Sequence, residues 1–177
     1  MKSIYTVAKI EESFLDYPDF DSIATVIYFT GCNHKCVHCQ NTQLNIPKTK
    51  DVIKHNDLLN KIVKFCQKLQ TNKIVFLGGE PLQQKNILKL IESLKKYDIC
   101  IYTGYDFINA INILNYHINF LKYLKVGKYN HNLKQIPKKN EPKREITLSS
   151  KNQIMYKITP AIIDKISIDG NVYLDKE

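Results

Sequence analysis

Four short apolar runs, each closed by glycine, constrain the fold of this chain more than any other feature. Ile23-Ala24-Thr25-Val26-Ile27-Tyr28-Phe29 leads to Gly31, and Lys73-Ile74-Val75-Phe76-Leu77 leads to Gly78-Gly79-Glu80-Pro81. Asp98-Ile99-Cys100-Ile101-Tyr102 leads to Thr103-Gly104-Tyr105, and Tyr123-Leu124-Lys125-Val126 leads to Gly127. Short runs rich in β-branched and aromatic residues read as buried strands. Helical patterns lie between them. Leu58, Leu59, Ile62, Val63, Cys66 and Leu69 share one face, with Asn56 or Asp57 as the expected N-cap. Ile87, Leu88, Leu90, Ile91 and Leu94 mark a second helix, and a third covers Phe107 to about Leu114. Strand–helix alternation predicts a parallel sheet with right-handed crossovers. Such folds carry their chemistry at the carboxyl ends of the strands. The unusual residues of this chain all fall on that rim.

The first rim loop is Gly31-Cys32-Asn33-His34-Lys35-Cys36-Val37-His38-Cys39-Gln40-Asn41. Three thiolates in one turn, with no fourth in register, leave a metal position open. A structural zinc site takes four Cys or His ligands, and His34 or His38 could complete such a set. Yet zinc ligands usually come from two separate knuckles, and no second Cys or His pair of that spacing exists here. An iron–sulfur cluster on three thiolates would leave one iron free for a non-protein ligand, and the pattern favours it over zinc. Cys66, on the apolar face of its helix, and Cys100, in mid-strand, read as core residues. His38 is expected either beside a cofactor ring or in solvent. His55, His117 and His131 have no company that suggests a site. The second rim loop, Gly78-Gly79-Glu80-Pro81, lets a ligand approach the backbone, and the Glu80 carboxylate suits an ammonium group. Its plainer reading is a turn with Pro81 at the first helical position.

The length of 177 residues fits one domain over 1–177, and 44% apolar residues suffice for a core. The core is expected over about 20–127, with a basic loop and β-rich tail over 128–177. The net charge of +9 raises the question of nucleic acid, but Arg144 is the only arginine, so no nucleic-acid partner is expected. No apolar run approaches membrane-spanning length, and no signal peptide opens the chain, so a cytoplasmic protein with no membrane contact is expected. Clustered cysteines in a reducing compartment point to metal or catalysis. Residues 129–150, with Pro137 and Pro142, read as a long loop. Glu145-Ile146-Thr147-Leu148 and Gln153-Ile154-Met155-Tyr156 could pair across Ser149-Ser150-Lys151-Asn152. Ile166-Ser167-Ile168 and Val172-Tyr173-Leu174 flank Asp169-Gly170-Asn171, a hairpin signal.

Taken together, Cys32, Cys36, Cys39 and Gly78-Gly79-Glu80-Pro81 resemble the cluster and methionine-binding motifs of the radical S-adenosylmethionine superfamily. Asp16-Tyr17-Pro18 and Thr25 to Asn33 resemble the opening of the activating proteins of anaerobic ribonucleotide reductase. Tyr102-Thr103-Gly104-Tyr105, Leu124 to Tyr129 and Ser149-Ser150-Lys151-Asn152-Gln153 are similar to later motifs of that family. Asp19, Gln40 and Lys151 are departures from its usual pattern. The resemblance implies an α/β fold, a partial, open (βα) barrel with a C-terminal β-rich extension. It implies a 4Fe-4S cluster on Cys32, Cys36 and Cys39, with S-adenosylmethionine held by Gly78, Gly79 and Glu80 and flanked by His38, Cys39 and Gln40. It further implies reductive cleavage to a 5′-deoxyadenosyl radical that takes hydrogen from a glycine of the anaerobic reductase large subunit, with a flavodoxin-like electron donor. About four strand–helix units, against eight in a closed barrel, would leave a side opening for a partner loop.

Overall fold

The computed structural model describes residues 3–19, 22–135 and 146–173. Strand β1 spans Ile4–Ser13, β2 Ala24–Phe29, β3 Val52–Lys54, β4 Lys73–Gly78, β5 Asp98–Tyr102 and β6 Leu121–Val126. Helix α1 spans His55–Leu69, α2 Ile87–Ser93 and α3 Phe107–Leu114. The tail adds β7 (Ile146–Thr147), β8 (Ile154–Ile158), β9 (Ile163–Lys165), β10 (Ser167–Ile168) and β11 (Asn171–Val172).

Eight strands form one mixed sheet in the order β3-β1-β2-β4-β5-β6-β8-β9. The four glycine-ended runs are its centre, and β2, β4, β5 and β6 are parallel, as the alternation predicts. Antiparallel strands flank them on both sides, and the edges β3 and β9 are not paired with each other. Side chains alternate across the sheet. Ile27, Phe29, Ile74, Phe76, Ile99, Ile101, Leu124 and Val126 point to one face, where they pack with all three helices. Ala24, Val26, Val75, Leu77, Cys100 and Tyr123 point to the other, under Tyr17, Leu148, Met155 and Val172. The first face is a conventional core; the second carries the site at its upper end.

Strand β1 was not anticipated. It runs antiparallel to β2, and its half-exposed side chains break any clean alternation. Helix α1 starts earlier than Asn56. Its N-cap is Lys54, with no side-chain cap, and Asp57 lies in the first turn, where its charge favours the helix dipole. Among the described residues, 146–148 do not pair with 153–156. Instead β8 adds to the edge strand β6, which buries Met155, and β7 pairs with β11. Glu145, Pro137 and Pro142 lie outside the described residues. The Asp169-Gly170 hairpin is present: β10 pairs with β11, with φ of 46° and 78° at the two turn residues. Its Leu174 lies outside the described residues. No helix among the described residues is long and apolar enough to cross a membrane.

Candidate active site

A cavity of about 290 Å³ opens at the carboxyl ends of the parallel strands. Its walls include Cys32, His34, Cys36, Cys39 and Gln40 from the loop after β2, and Gly78, Gly79 and Glu80 after β4. Thr103 and Gly104 follow β5, while Lys125 and Gly127 come from the end of β6. Asp16, Tyr28 and Tyr102 line it further down, and Tyr129, Ser149 and Gln153 close the far side. The structure thus brings together every predicted site residue except His38. That side chain is exposed, at φ 55°, with its ring 4.3 Å from His131, and it borders a neighbouring cavity with Tyr129 and Asn152. His131, read as having no company, therefore has His38. Cys66 and Cys100 are buried in the core as expected, and burial pushes both thiols up.

The two glycines after β4 serve the protein's own packing. A Cβ on Gly78 would lie 2.4 Å from the Phe29 carbonyl oxygen, and one on Gly79 would lie 2.5 Å from that of Gly31. Gly79 N–H donates to the Phe29 carbonyl (2.9 Å) and Glu80 N–H to that of Gly31 (2.8 Å). The turn is laid directly on the start of the cysteine loop, a contact that only glycine permits. Pro81 occupies the first position of a 3-10 turn over Pro81–Gln83, as read.

Glu80 is buried, at 1% exposure, and its carboxylate is fully engaged. Oε1 accepts from Leu82 N–H (2.9 Å) and from the Thr103 hydroxyl (2.8 Å). Oε2 accepts from Gly104 N–H (2.8 Å) and from His34 Nε2 (2.9 Å). The expectation of a carboxylate open to a ligand's ammonium group meets a group already holding four donors.

Lys125 was missed as a site residue. It sits between Leu124 and Val126 in β6 but points to the opposite face, into the cavity. It is 9% exposed, with its ammonium 5.4 Å from the Tyr102 ring centroid and no carboxylate within salt-bridge distance among the described residues. Burial pushes it down to about 8, against the pull of Glu80 and of Cys36. A lysine inside a buried strand was the available signal. The Ser149-to-Gln153 segment has a visible task too. The Gln153 amide donates to the Gly127 carbonyl (3.1 Å) and the Ser150 hydroxyl accepts from Asn130 N–H (3.2 Å), so it holds the 127–130 wall in place.

Cys32, Cys36 and Cys39 are all partly buried along one wall, and burial raises the Cys32 thiol. Among the described residues no three His, Cys, Asp or Glu side chains gather where a single ion would sit. A cluster takes each thiolate on a separate iron, and three cysteines lining one cavity are a donor set that fits it.

The family model described as a 4Fe-4S single cluster domain matches residues 22–156. The anaerobic ribonucleoside-triphosphate reductase-activating protein of Enterobacteria phage T4 is 26% identical over 157 residues, covering 83% of this chain and 92% of that protein. A putative glycyl-radical enzyme activating enzyme of Methanocaldococcus jannaschii is 29% identical over 109 residues, 58% of this chain and 40% of that one. A GTP 3',8-cyclase of Clostridium botulinum is 42% identical over 65 residues, 37% of this chain, so the chain matches only 20% of the cyclase's length. The crystal structure of QueE from Escherichia coli overlaps 57% of this chain and 53% of its own, at TM-score 0.48 and 21% identity, too slight a likeness to argue from.

Proposed function

The chain belongs to the 4Fe-4S single cluster domain family, of the radical S-adenosylmethionine type, and from that premise we propose that it is an activase, an oxidoreductase that generates a glycyl radical on anaerobic ribonucleoside-triphosphate reductase. The observation that carries the reading is a cavity on the carboxyl rim lined at once by Cys32, Cys36, Cys39, Gly78, Gly79 and Lys125. The reductase as target is favoured by the phage T4 relative, which aligns with nearly its whole length. When bound, the cluster and S-adenosylmethionine supply the electron transfer and the 5′-deoxyadenosyl radical.

The chain's own residues bind and orient. The three thiolates would hold the cluster. The Lys125 ammonium, buried without an acidic partner among the described residues, suits the carboxylate of the methionine moiety. The backbone at Gly78 and Gly79 passes along the same wall, where its carbonyl oxygens would accept from the ammonium. Gln40 and Cys39 border the cavity beside the cluster position, whereas His38 faces outward and would act only after its side chain turned inward. The Tyr28 and Tyr102 rings line the cavity beside Asp16 and would limit the water that reaches a reactive radical. In this reading the sheet is a partial barrel, acting as one domain, and the gap between edges β3 and β9 admits a loop of the partner. A flavodoxin-like protein would deliver the electron, in the cytoplasm.

The putative glycyl-radical activating relative supports a second reading, activation of a different glycyl-radical enzyme. The test is anaerobic co-incubation with the reductase, S-adenosylmethionine and a reductant, followed by electron paramagnetic resonance. A glycyl radical on the reductase is the expected result. Deoxyadenosine formation without that radical would transfer the proposal to another enzyme.

A further inference from the structure

We infer that Glu80 and His34 form a latch: the carboxylate acts through the imidazole to hold the cysteine loop against the ends of β4 and β5, and does not itself contact the ligand. This goes deeper into the cluster reading above and rests on it for the loop's purpose.

The main chain between Cys32 and Cys36 makes no backbone–backbone hydrogen bond, among the described residues, at positions 33, 34 or 35. Lys35 there adopts φ 50°, an uncommon conformation that needs outside support. The residues just before it are anchored by the His34 main chain, bonded to the Cys32 thiol, and by two side-chain contacts. The Gln83 amide donates to the Asn33 side chain, and His34 Nε2 reaches Glu80. A carboxylate can only accept, so His34 carries its proton on Nε2. The His34 side chain is 7% exposed and that of Glu80 1%. The ring is also gripped from the β5 side. A Cβ on Gly104 would lie 2.4 Å from His34 Cδ2, and Tyr105 packs edge-on with centroids 4.7 Å apart. Gly104 N–H and Thr103 Oγ1 meanwhile bond the same carboxylate.

A carboxylate offers about four lone-pair sites, and here four donors fill them. A ligand ammonium could reach Glu80 only by displacing one, and the two backbone N–H donors are fixed by the fold. His34 lies two residues from each of Cys32 and Cys36 in sequence, so anchoring its ring anchors the loop segment that joins them. The latch thus joins the cysteine loop, the Gly-Gly-Glu-Pro turn and the Thr-Gly-Tyr turn into one unit. Residues that orient metal ligands in this way typically cost about 10–100-fold in metal retention when removed.

The experiment compares wild type with His34→Leu, His34→Gln, Glu80→Gln and the His34→Leu/Glu80→Gln double variant. Two rates are read: iron release to a ferrous chelator from the anaerobic reconstituted protein, and alkylation of each cysteine in the apoprotein, followed by mass spectrometry. Breaking the latch is expected to speed iron release about tenfold and to expose Cys32 and Cys36 to faster alkylation. His34→Gln keeps an N–H donor and should stay near wild type. The double variant should add nothing to the single ones, as for residues that act through each other. Weakened S-adenosylmethionine binding in Glu80→Gln, with both rates unchanged and His34→Leu silent, would overturn the latch. A wild type that takes up no iron would refute the cluster reading alone, because the alkylation rates still decide the latch.

Discussion

Replacing Lys125 with methionine is expected to stabilise the apoprotein while removing ligand binding. The ammonium sits at 9% exposure with no acidic partner among the described residues, and burial holds it down to about 8 from an ordinary 10.5. At about 1.36 kcal/mol per pH unit, this corresponds to ~3 kcal/mol that folding loses in keeping the group charged. The sign follows from the depressed value. Below about 8 both folded and unfolded chains hold the proton, and the cost is fully present. Between about 8 and 10.5 the unfolded chain holds a proton that the folded chain has released, so stability rises with pH. Above 10.5 both are neutral and the cost is gone. Lys125→Met should therefore be more stable than wild type by up to ~3 kcal/mol at pH 7, with the gap closing by pH 10.5. Methionine fills a similar shape, so packing changes little. Paired urea denaturation curves of the reduced apoproteins at the two pH values measure it. A variant no more stable than wild type at pH 7, or a gap that ignores pH, would refute the reasoning.

Gly79→Ala should destabilise by about 1–3 kcal/mol in urea denaturation, because its Cβ meets the Gly31 carbonyl, backbone that cannot swing aside. Tyr5→Phe removes the hydroxyl that bonds His55 Nδ1 (2.8 Å) and donates to the Asn86 carbonyl (3.0 Å); a loss of about 1–3 kcal/mol is expected in the same assay. Cys66→Ala and Cys100→Ala should retain iron and colour, since both thiols lie in the core, whereas Cys36→Ala should lose them. Iron content per chain distinguishes the two groups.

The central sheet was legible because a parallel strand buried on both faces must be a continuous apolar run, and four such runs stand out. The Asp169-Gly170 hairpin was legible for a local reason, the positive φ its turn requires. Strand β1 was not, since its burial comes from partners distant in sequence, β2 and β3, and its exposed residues blur the period. Strands β7 and β8 were mispaired for the same cause. Adjacency in sequence suggested a hairpin, but β8 gains more by extending the sheet at β6. At the site, the thiols and the Gly-Gly-Glu-Pro turn are contiguous motifs and could be read. Lys125 was hidden among 26 Lys and Arg residues, and only its place in a buried strand set it apart. The His34–Glu80 contact joins positions 46 apart, which spacing alone does not reveal.

What the three thiols of the cysteine loop hold decides the chemistry of the cavity. Metal and sulfide analysis of protein purified without oxygen tests this most directly. A brown protein with about four irons and four sulfides per chain is predicted. A colourless protein with one zinc per chain would contradict it.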